Sequence, residues 1–416
     1  MTNLVMVMPY KAYLVAAKQE DFRVCAVWDP TLSWVMPTSP RDFPDYLEEL
    51  RVIADEFLLT DFTDQQRFAE VVRQAAADFD ADFVYHIGQE TSMLQTYRVA
   101  EQLHKEVNPS RSIELLNDKL AMRQLLAERG VSAIRFAHAE HWRNVAAVLD
   151  EFPLPVVVKP TELAGSRGVF LLRDKAELAE WGALLDSYGY AGPVLVEEYL
   201  RGQEYSVESI SADGVHHVIG VTTKSLGGPP LFVEIGHLHP TPESPRTKEI
   251  ADLAVQLLTL TGYRTGPAHT EVIWTDDGPR LVESQARLAG DRIPTLVKIA
   301  TGFDINRAIF RALAGRPLEP VVARRYARVA YLEYPTGQLR AVRGLDAVHA
   351  LDFVHELSFP FEIGDVIPAV VDSKTRHGYV VLHADSPEQA DQRVDQVRSM
   401  IDVEVGVPVA TGSDAE

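Results

Sequence analysis

Ala268-His269-Thr270-Glu271-Val272-Ile273-Trp274, followed by Thr275-Asp276-Asp277-Gly278-Pro279 and then Arg280-Leu281-Val282-Glu283-Ser284-Gln285, is the stretch on which the fold turns. Two strand-like runs around a short Asp- and Gly-containing segment predict a β-hairpin with a five-residue loop. Pairing Trp274 with Arg280 and counting back along both strands sets Glu271 opposite Glu283. Directly opposed residues hold their Cβ atoms ~5 Å apart, so two carboxylates there repel unless a cation neutralises them. A hard divalent ion such as Mg²⁺ takes carboxylate oxygens and shares its octahedral shell with nucleotide phosphates. Gln285 stands on the Glu283 face by strand alternation and offers a third oxygen. A solvated hairpin carrying surface acids is the alternative reading of the same residues.

Two segments upstream bear on the choice. In Val156-Val157-Val158-Lys159-Pro160-Thr161-Glu162-Leu163-Ala164-Gly165-Ser166-Arg167-Gly168-Val169, a lysine ends an apolar strand and a loop with two glycines and a serine follows. An ammonium and several backbone N–H groups can close over phosphate in such a loop. It is not the Walker pattern, because no Gly-Lys-Ser/Thr opens a helix, and an ordinary flexible loop has the same composition. In Val196-Glu197-Glu198-Tyr199-Leu200-Arg201-Gly202-Gln203-Glu204-Tyr205-Ser206-Val207, a strand, a short connector and an acid opening the next strand offer backbone groups to a flat base and a carboxylate to vicinal hydroxyls. An exposed acidic hinge reads the same way.

In this order the three elements resemble the ATP-grasp superfamily over roughly Asn117 to Thr301, and within it the bacterial L-amino-acid ligases of the bacilysin-synthetase type. Glu283-Ser284-Gln285-Ala286-Arg287-Leu288-Ala289-Gly290-Asp291-Arg292-Ile293-Pro294 stands where such proteins carry acid, x, Asn, x, Arg and a Gly-containing turn. Phe232-Val233-Glu234-Ile235-Gly236-His237, followed by Pro240, and the C-terminal Gly364-Asp365-Val366-Ile367-Pro368 with Arg376-His377-Gly378-Tyr379 are similar to that group as well.

The resemblance implies an ATP-grasp fold of mixed α/β and α+β class. Its parts would be an N-terminal Rossmann-like domain over 1–112, an ATP-grasp domain over 113–315 with a lid at about 153–225, and a small α+β domain over 316–416 with a disordered tail from Ala410 to Glu416. The implied activity is ATP-dependent joining of a small-molecule carboxylate to an amine through an acyl phosphate, with amino acids as substrates. Lys119 and Lys159 would contact phosphate, and Gly165, Ser166, Gly168 and Val169 would cover it. Glu197, Glu198, Tyr199 and Leu200 would form the adenine hinge, with Glu204 on the ribose. Glu271, Glu283 and Gln285 would bind Mg²⁺, or Mn²⁺ in its place, and Gln285 departs from the usual asparagine. Arg287 would steady negative charge at the reacting centre, beside a substrate region that takes in Glu90, His237 and Gly290. Purine-type ligation, bicarbonate activation and a catalytically silent nucleotide-binding module are the alternatives.

The remaining residues set limits. With 60 acidic against 40 basic residues the formal charge is -20, which disfavours nucleic acid or an anionic membrane as partner; a homodimer is allowed. The single Cys25 lies in an apolar run, so no internal disulfide forms and a reducing, cytoplasmic setting is expected. No apolar stretch reaches the ~18 residues of a membrane span.

The first ~110 residues alternate strands (Leu4 to Met8, Val24 to Trp28, Phe83 to Ile87) with helical patterns, which predicts a parallel sheet. Pro9-Tyr10-Lys11-Ala12 after the first strand lacks a Gly-rich phosphate loop, which disfavours a dinucleotide site. His86, Gln89 and Glu90 follow a strand end, where ligands sit in open α/β sheets. Asn117 is expected to cap a helix that stops at Gly130, and Ser244-Pro245 to open one that Gly262 ends. His216-His217 read as surface residues and His269 as a strand residue rather than a ligand. Thr161 to Val169, Leu226 to Pro230 and Phe232 to Pro240 are expected to move as a cover.

Overall fold

The computed structural model describes residues 1–33, 42–88 and 90–406; the expectations for Gln89 and for the Ala410 to Glu416 tail lie outside the described residues. The N-terminal strands Thr2–Val7, Phe22–Trp28, Glu56–Leu59 and Phe83–His86 form one parallel sheet, with Thr2–Val7 between Phe22–Trp28 and Phe83–His86. Leu4 to Met8 and Val24 to Trp28 are all buried, the continuous apolar run that a parallel sheet covered on both faces requires.

An eight-stranded sheet forms the centre. Its order runs Gly278–Gln285, Gly266–Thr275, Gln203–Ala212, Val215–Leu226, Glu234–His239, Tyr326–Tyr331, Tyr379–Ala384, Val354–Ser358. The sheet therefore continues past the Gly315-Arg316-Pro317 break, because Glu234–His239 pairs with Tyr326–Tyr331. A separate four-stranded sheet, Phe136–Ala139, Val194–Glu198, Val156–Pro160 and Phe170–Leu172, is the one we propose as the lid. Its own core gathers Val156, Val158, Phe170, Trp181, Leu185 and Val196. Gln203–Ala212 and Val215–Leu226, which fall in the range expected for the lid, pair in the large sheet instead. We propose 1–112, 113–315 and 316–416 as folding units within this continuous framework.

Two local details differ from expectation. Asn117 ends the helix Ser110–Asn117, and Asp118 is the cap of Lys119–Arg129, its side chain accepting from Ala121 N at 2.9 Å. Asn117 instead accepts from Ala286 N at 3.0 Å, tying this helix to the stretch before Arg287. In the decisive hairpin, Thr275 pairs with Gly278 and Trp274 with Pro279, so the loop is the two residues Asp276-Asp277. A bulge follows between Glu271 and Val272, which pair with Glu283 and Leu281. The extra residue, Val282, shifts the register by one and brings Glu271 opposite Glu283 after all.

Elsewhere the start and stop signals hold. Ser244 and Thr247 form a capping box on Pro245–Thr261, and Gly262 ends it at φ 70°. Among the described residues no helix is long and apolar enough to cross a membrane.

Candidate active site

Lid and large sheet together wall a cavity of about 650 Å³. Of the residues singled out from sequence, Glu90, Lys119, Lys159, Gly165, Ser166, Val169, Glu197, Glu198, Tyr199, Leu200, Glu204, His237, Glu271, Glu283, Gln285, Arg287 and Gly290 all line it. Gly168 does not. Its φ is 73°, and a Cβ there would meet Leu185 Cδ2 at 2.6 Å, while its carbonyl accepts from Trp181 Nε1 at 2.8 Å. Glycine at this position answers lid packing. His86 is also outside the cavity wall: it is buried with Nε2 2.9 Å from Ser92 Oγ, and burial lowers it to about 3. His217 is exposed, as read, and His216 half-buried against Ser211 Oγ at 2.7 Å.

The cationic side of the cavity is built from two segments. Lys119 Nζ donates to the Leu163 carbonyl at 3.1 Å and the Thr161 carbonyl at 3.3 Å, and lies 3.7 Å from Glu283 Oε2. Lys159 Nζ lies 2.7 Å from Glu197 Oε2. Arg123, a residue with no local signal in the sequence, holds Glu197 Oε1 at 2.6 Å and donates to the carbonyls of Leu281 and Val282 at 2.7 and 2.9 Å. Burial alone would raise the Glu197 carboxyl, but Arg123 and Lys159 override it and hold it at about 2. Glu197 thus lines the cavity with its carboxylate paired to Arg123 and Lys159.

The acidic side centres on Glu271 and Glu283. Gln285 Nε2 donates to Glu283 Oε1 at 2.5 Å, which leaves the amide oxygen to serve as a ligand. Lys224, also missed from sequence, places its buried Nζ 2.5 Å from Glu271 Oε1, 2.6 Å from Glu204 Oε1 and 3.8 Å from Glu234 Oε1. Its signal was available, since strand alternation puts it on the inner face with Thr222. Burial lifts Glu204 to about 7 against the pull of Lys224, with Glu271 adding to the rise; Glu271, though equally buried, is driven well below the usual range by Lys224 and His269. Among the described residues no three His, Cys, Asp or Glu side chains converge as a metal cage. Two carboxylates and an amide oxygen make an oxygen-only partial shell, which fits a hard cation completed by phosphate oxygens.

A third group faces the cavity near Gly290. Arg287 Nε donates to Glu90 Oε1 at 2.7 Å. Burial would raise Glu90, but Arg287 lowers it. Asp291 accepts from Arg376 Nη1 and Nη2, both at 2.7 Å, and lies 3.1 Å from His237 Nε2. Gly290 precedes two residues at positive φ, Asp291 at 52° and Arg292 at 65°, a conformation costly for non-glycine residues and frequent at ligand sites. Ser166 and Ser373 hydroxyls both donate to Glu234 Oε2, at 3.0 and 2.7 Å, so the covering loop and the C-terminal part meet on one carboxylate.

Comparison with known proteins bears on the fold and the class of activity. The family model described as the ATP-grasp domain matches residues 152–295, and that described as L-amino acid ligase C-terminal domain 2 matches 330–406. The chain is 29% identical over 391 residues to the uncharacterized protein y4rH of Sinorhizobium fredii, covering 88% of this chain and 80% of that one. It is 25% identical over 300 residues to dapdiamide A synthase of Enterobacter agglomerans, covering 68% and 70% of the two chains. Among solved structures, the L-amino acid ligase from Bacillus licheniformis superposes with a TM-score of 0.77 at 21% identity, over 98% of this chain and 99% of that one, which is a likeness of fold.

Proposed function

We propose that this chain, an ATP-grasp ligase carrying the C-terminal domain of the L-amino acid ligases, joins two amino acids into a dipeptide and releases ADP and phosphate. The observation that carries the reading is that two lysines, the facing carboxylates and Arg287 open onto one cavity. A nucleoside triphosphate and a carboxylate can meet there.

Lys119 and Lys159 bind phosphate oxygens, and Gly165 with Ser166 closes over them. Tyr199 and Leu200 hold the base, and Glu204 takes the ribose hydroxyls once Lys224 yields it. Mg²⁺ bound at Glu271, Glu283 and Gln285 would neutralise charge on the outer phosphates. The substrate carboxylate oxygen attacks the γ-phosphorus, forming a new P–O bond as the bond to the ADP oxygen breaks. A neutral amine nitrogen then attacks the acyl carbon, forming the C–N bond, and the C–O bond breaks as phosphate leaves, the amine proton passing to a phosphate oxygen. Arg287 steadies the oxyanion between these events. The cover keeps water from the acyl phosphate.

Amino acids are favoured over bicarbonate or a purine precursor by the match of residues 330–406 to the L-amino acid ligase domain and by the dapdiamide synthase relative. A cytoplasmic setting suits an ATP consumer whose one cysteine is buried. The test is phosphate release over pairs of amino acids with mass detection of the product. Dipeptide formation with equimolar ADP is expected; turnover only with bicarbonate or a ribonucleotide would overturn the reading.

A further inference from the structure

Behind Glu271 lies a buried chain of polar groups that the mechanism above does not use. His269 Nδ1 is 2.9 Å from Glu208 Oε1 and 3.2 Å from Glu208 Oε2, and His269 Nε2 is 3.2 Å from Glu271 Oε1. Ser206 Oγ donates to Glu208 Oε1 at 2.9 Å. Ser206, Glu208 and His269 are all at most 5% exposed, and they come from the neighbouring strands Gln203–Ala212 and Gly266–Thr275, where His269 is the register partner of Glu208.

Both ring nitrogens face carboxylate oxygens, Nδ1 toward Glu208 and Nε2 toward Glu271. Well-packed apolar residues would serve the interior of a sheet at least as well as a buried ion pair. What distinguishes this pair is where it ends. Glu271 pairs with His269 and Lys224, and both hydrogen bonds fall on Oε1. Oε2 accepts no hydrogen bond among the described residues.

We propose that His269, held by Glu208, is a positioning residue that pins Glu271 through Oε1 and reserves Oε2 for the divalent cation that accompanies the nucleotide. The inference rests on the reading of Glu271 as a metal-binding acid. The ring supplies orientation, as the outer hydrogen-bond partners of metal ligands do elsewhere, on the same oxygen that Lys224 meets.

Three variants separate the parts of this idea. His269→Asn keeps a donor at the Nδ1 position and loses the one toward Glu271; His269→Gln does the reverse; Glu271→Gln removes the ligand charge itself. The readouts are Mn²⁺ affinity in the presence of saturating ADP, followed by electron paramagnetic resonance of free Mn²⁺, ADP affinity without metal, and thermal unfolding without either. His269→Asn is expected to weaken Mn²⁺ about ten- to a hundred-fold with metal-free ADP binding unchanged, and His269→Gln to recover most of the loss. Equal losses in both histidine variants, or wild-type Mn²⁺ affinity in His269→Asn while Glu271→Gln loses it, would overturn the positioning role. Wild-type affinity in Glu271→Gln would overturn the metal reading beneath it. If His269→Asn does not fold, Glu208→Gln carries the same expectation of weakened Mn²⁺ binding, and an unchanged affinity there overturns the proposal.

Discussion

Arg123 Nε lies 2.6 Å from Glu197 Oε1, and both side chains are buried. This pair joins the helix Lys119–Arg129 to the lid strand Val194–Glu198, and through Leu281 and Val282 to the hairpin that carries Glu283. One guanidinium thus ties the helix that opens with Lys119 and the carboxylate that holds Lys159 to the hairpin of the acidic pair. Removing one partner of a buried pair leaves an uncompensated charge, at a cost of roughly 3–5 kcal/mol. Arg123→Met should lower unfolding stability by about that much, read from urea unfolding at neutral pH; a loss under about 1 kcal/mol would show that the pair is dispensable to the framework.

Glu197 predicts a pH effect with a definite sign. Its folded-state value of about 2 lies below the ordinary 4.5, so its ionisation stabilises the fold above about pH 4.5, and that contribution fades as pH falls toward 2. The gap corresponds to a stabilisation on the order of 3 kcal/mol. Urea midpoints measured from pH 6 down to pH 2 should converge for the wild type and Glu197→Gln; parallel curves would show that Glu197 does not carry the dependence.

Glu283→Gln should fold normally and lose most turnover. The substitution relieves repulsion with Glu271 while taking one charged ligand from the proposed cation. A raised Mg²⁺ requirement with unaltered thermal stability is expected, and activity equal to wild type at limiting Mg²⁺ would remove Glu283 from the metal shell.

Lys159→Ala should weaken ATP binding or phosphoryl transfer without changing which amino acids are accepted, because its ammonium stands at the mouth of the covering loop and 2.7 Å from Glu197. Steady-state kinetics over several amino-acid pairs checks this. Altered amino-acid preference with wild-type ATP kinetics is the contrary result.

Closure is tested by hydrogen exchange. Ser373 N donates to the Gly165 carbonyl at 3.3 Å, and Ser166 and Ser373 share Glu234, so the 161–169 loop, the 226–240 stretch and the C-terminal part should gain protection together when ADP, Mg²⁺ and a phosphate mimic bind. Pro245–Thr261 should not change. Equal exchange with and without ligand in all three segments would refute the cover.

Much of the site was legible because its signals are local. The apolar run before Lys159, the capping box at Ser244 and Thr247, the glycine stops at Gly130 and Gly262, and the acids of the hairpin all depend on neighbours a few residues away, where period and steric preference act directly. The facing of Glu271 and Glu283 was reached by a register that the turn does not use: a two-residue loop moved the pairing by one, and the bulge at Val282 moved it back. Only packing decides a bulge.

The partners that tune the site were not legible. Arg123 meets Glu197 across 74 positions and Leu281 across 158, His269 meets Glu208 across 61, and Arg376 meets Asp291 across 85. Period and propensity determined that this chain builds a strand with Lys159 near its end and a hairpin that carries two acids. Which buried charge neutralises which was decided by the tertiary structure, because a charge taken from water must find its counter-ion wherever the folded chain brings one within reach.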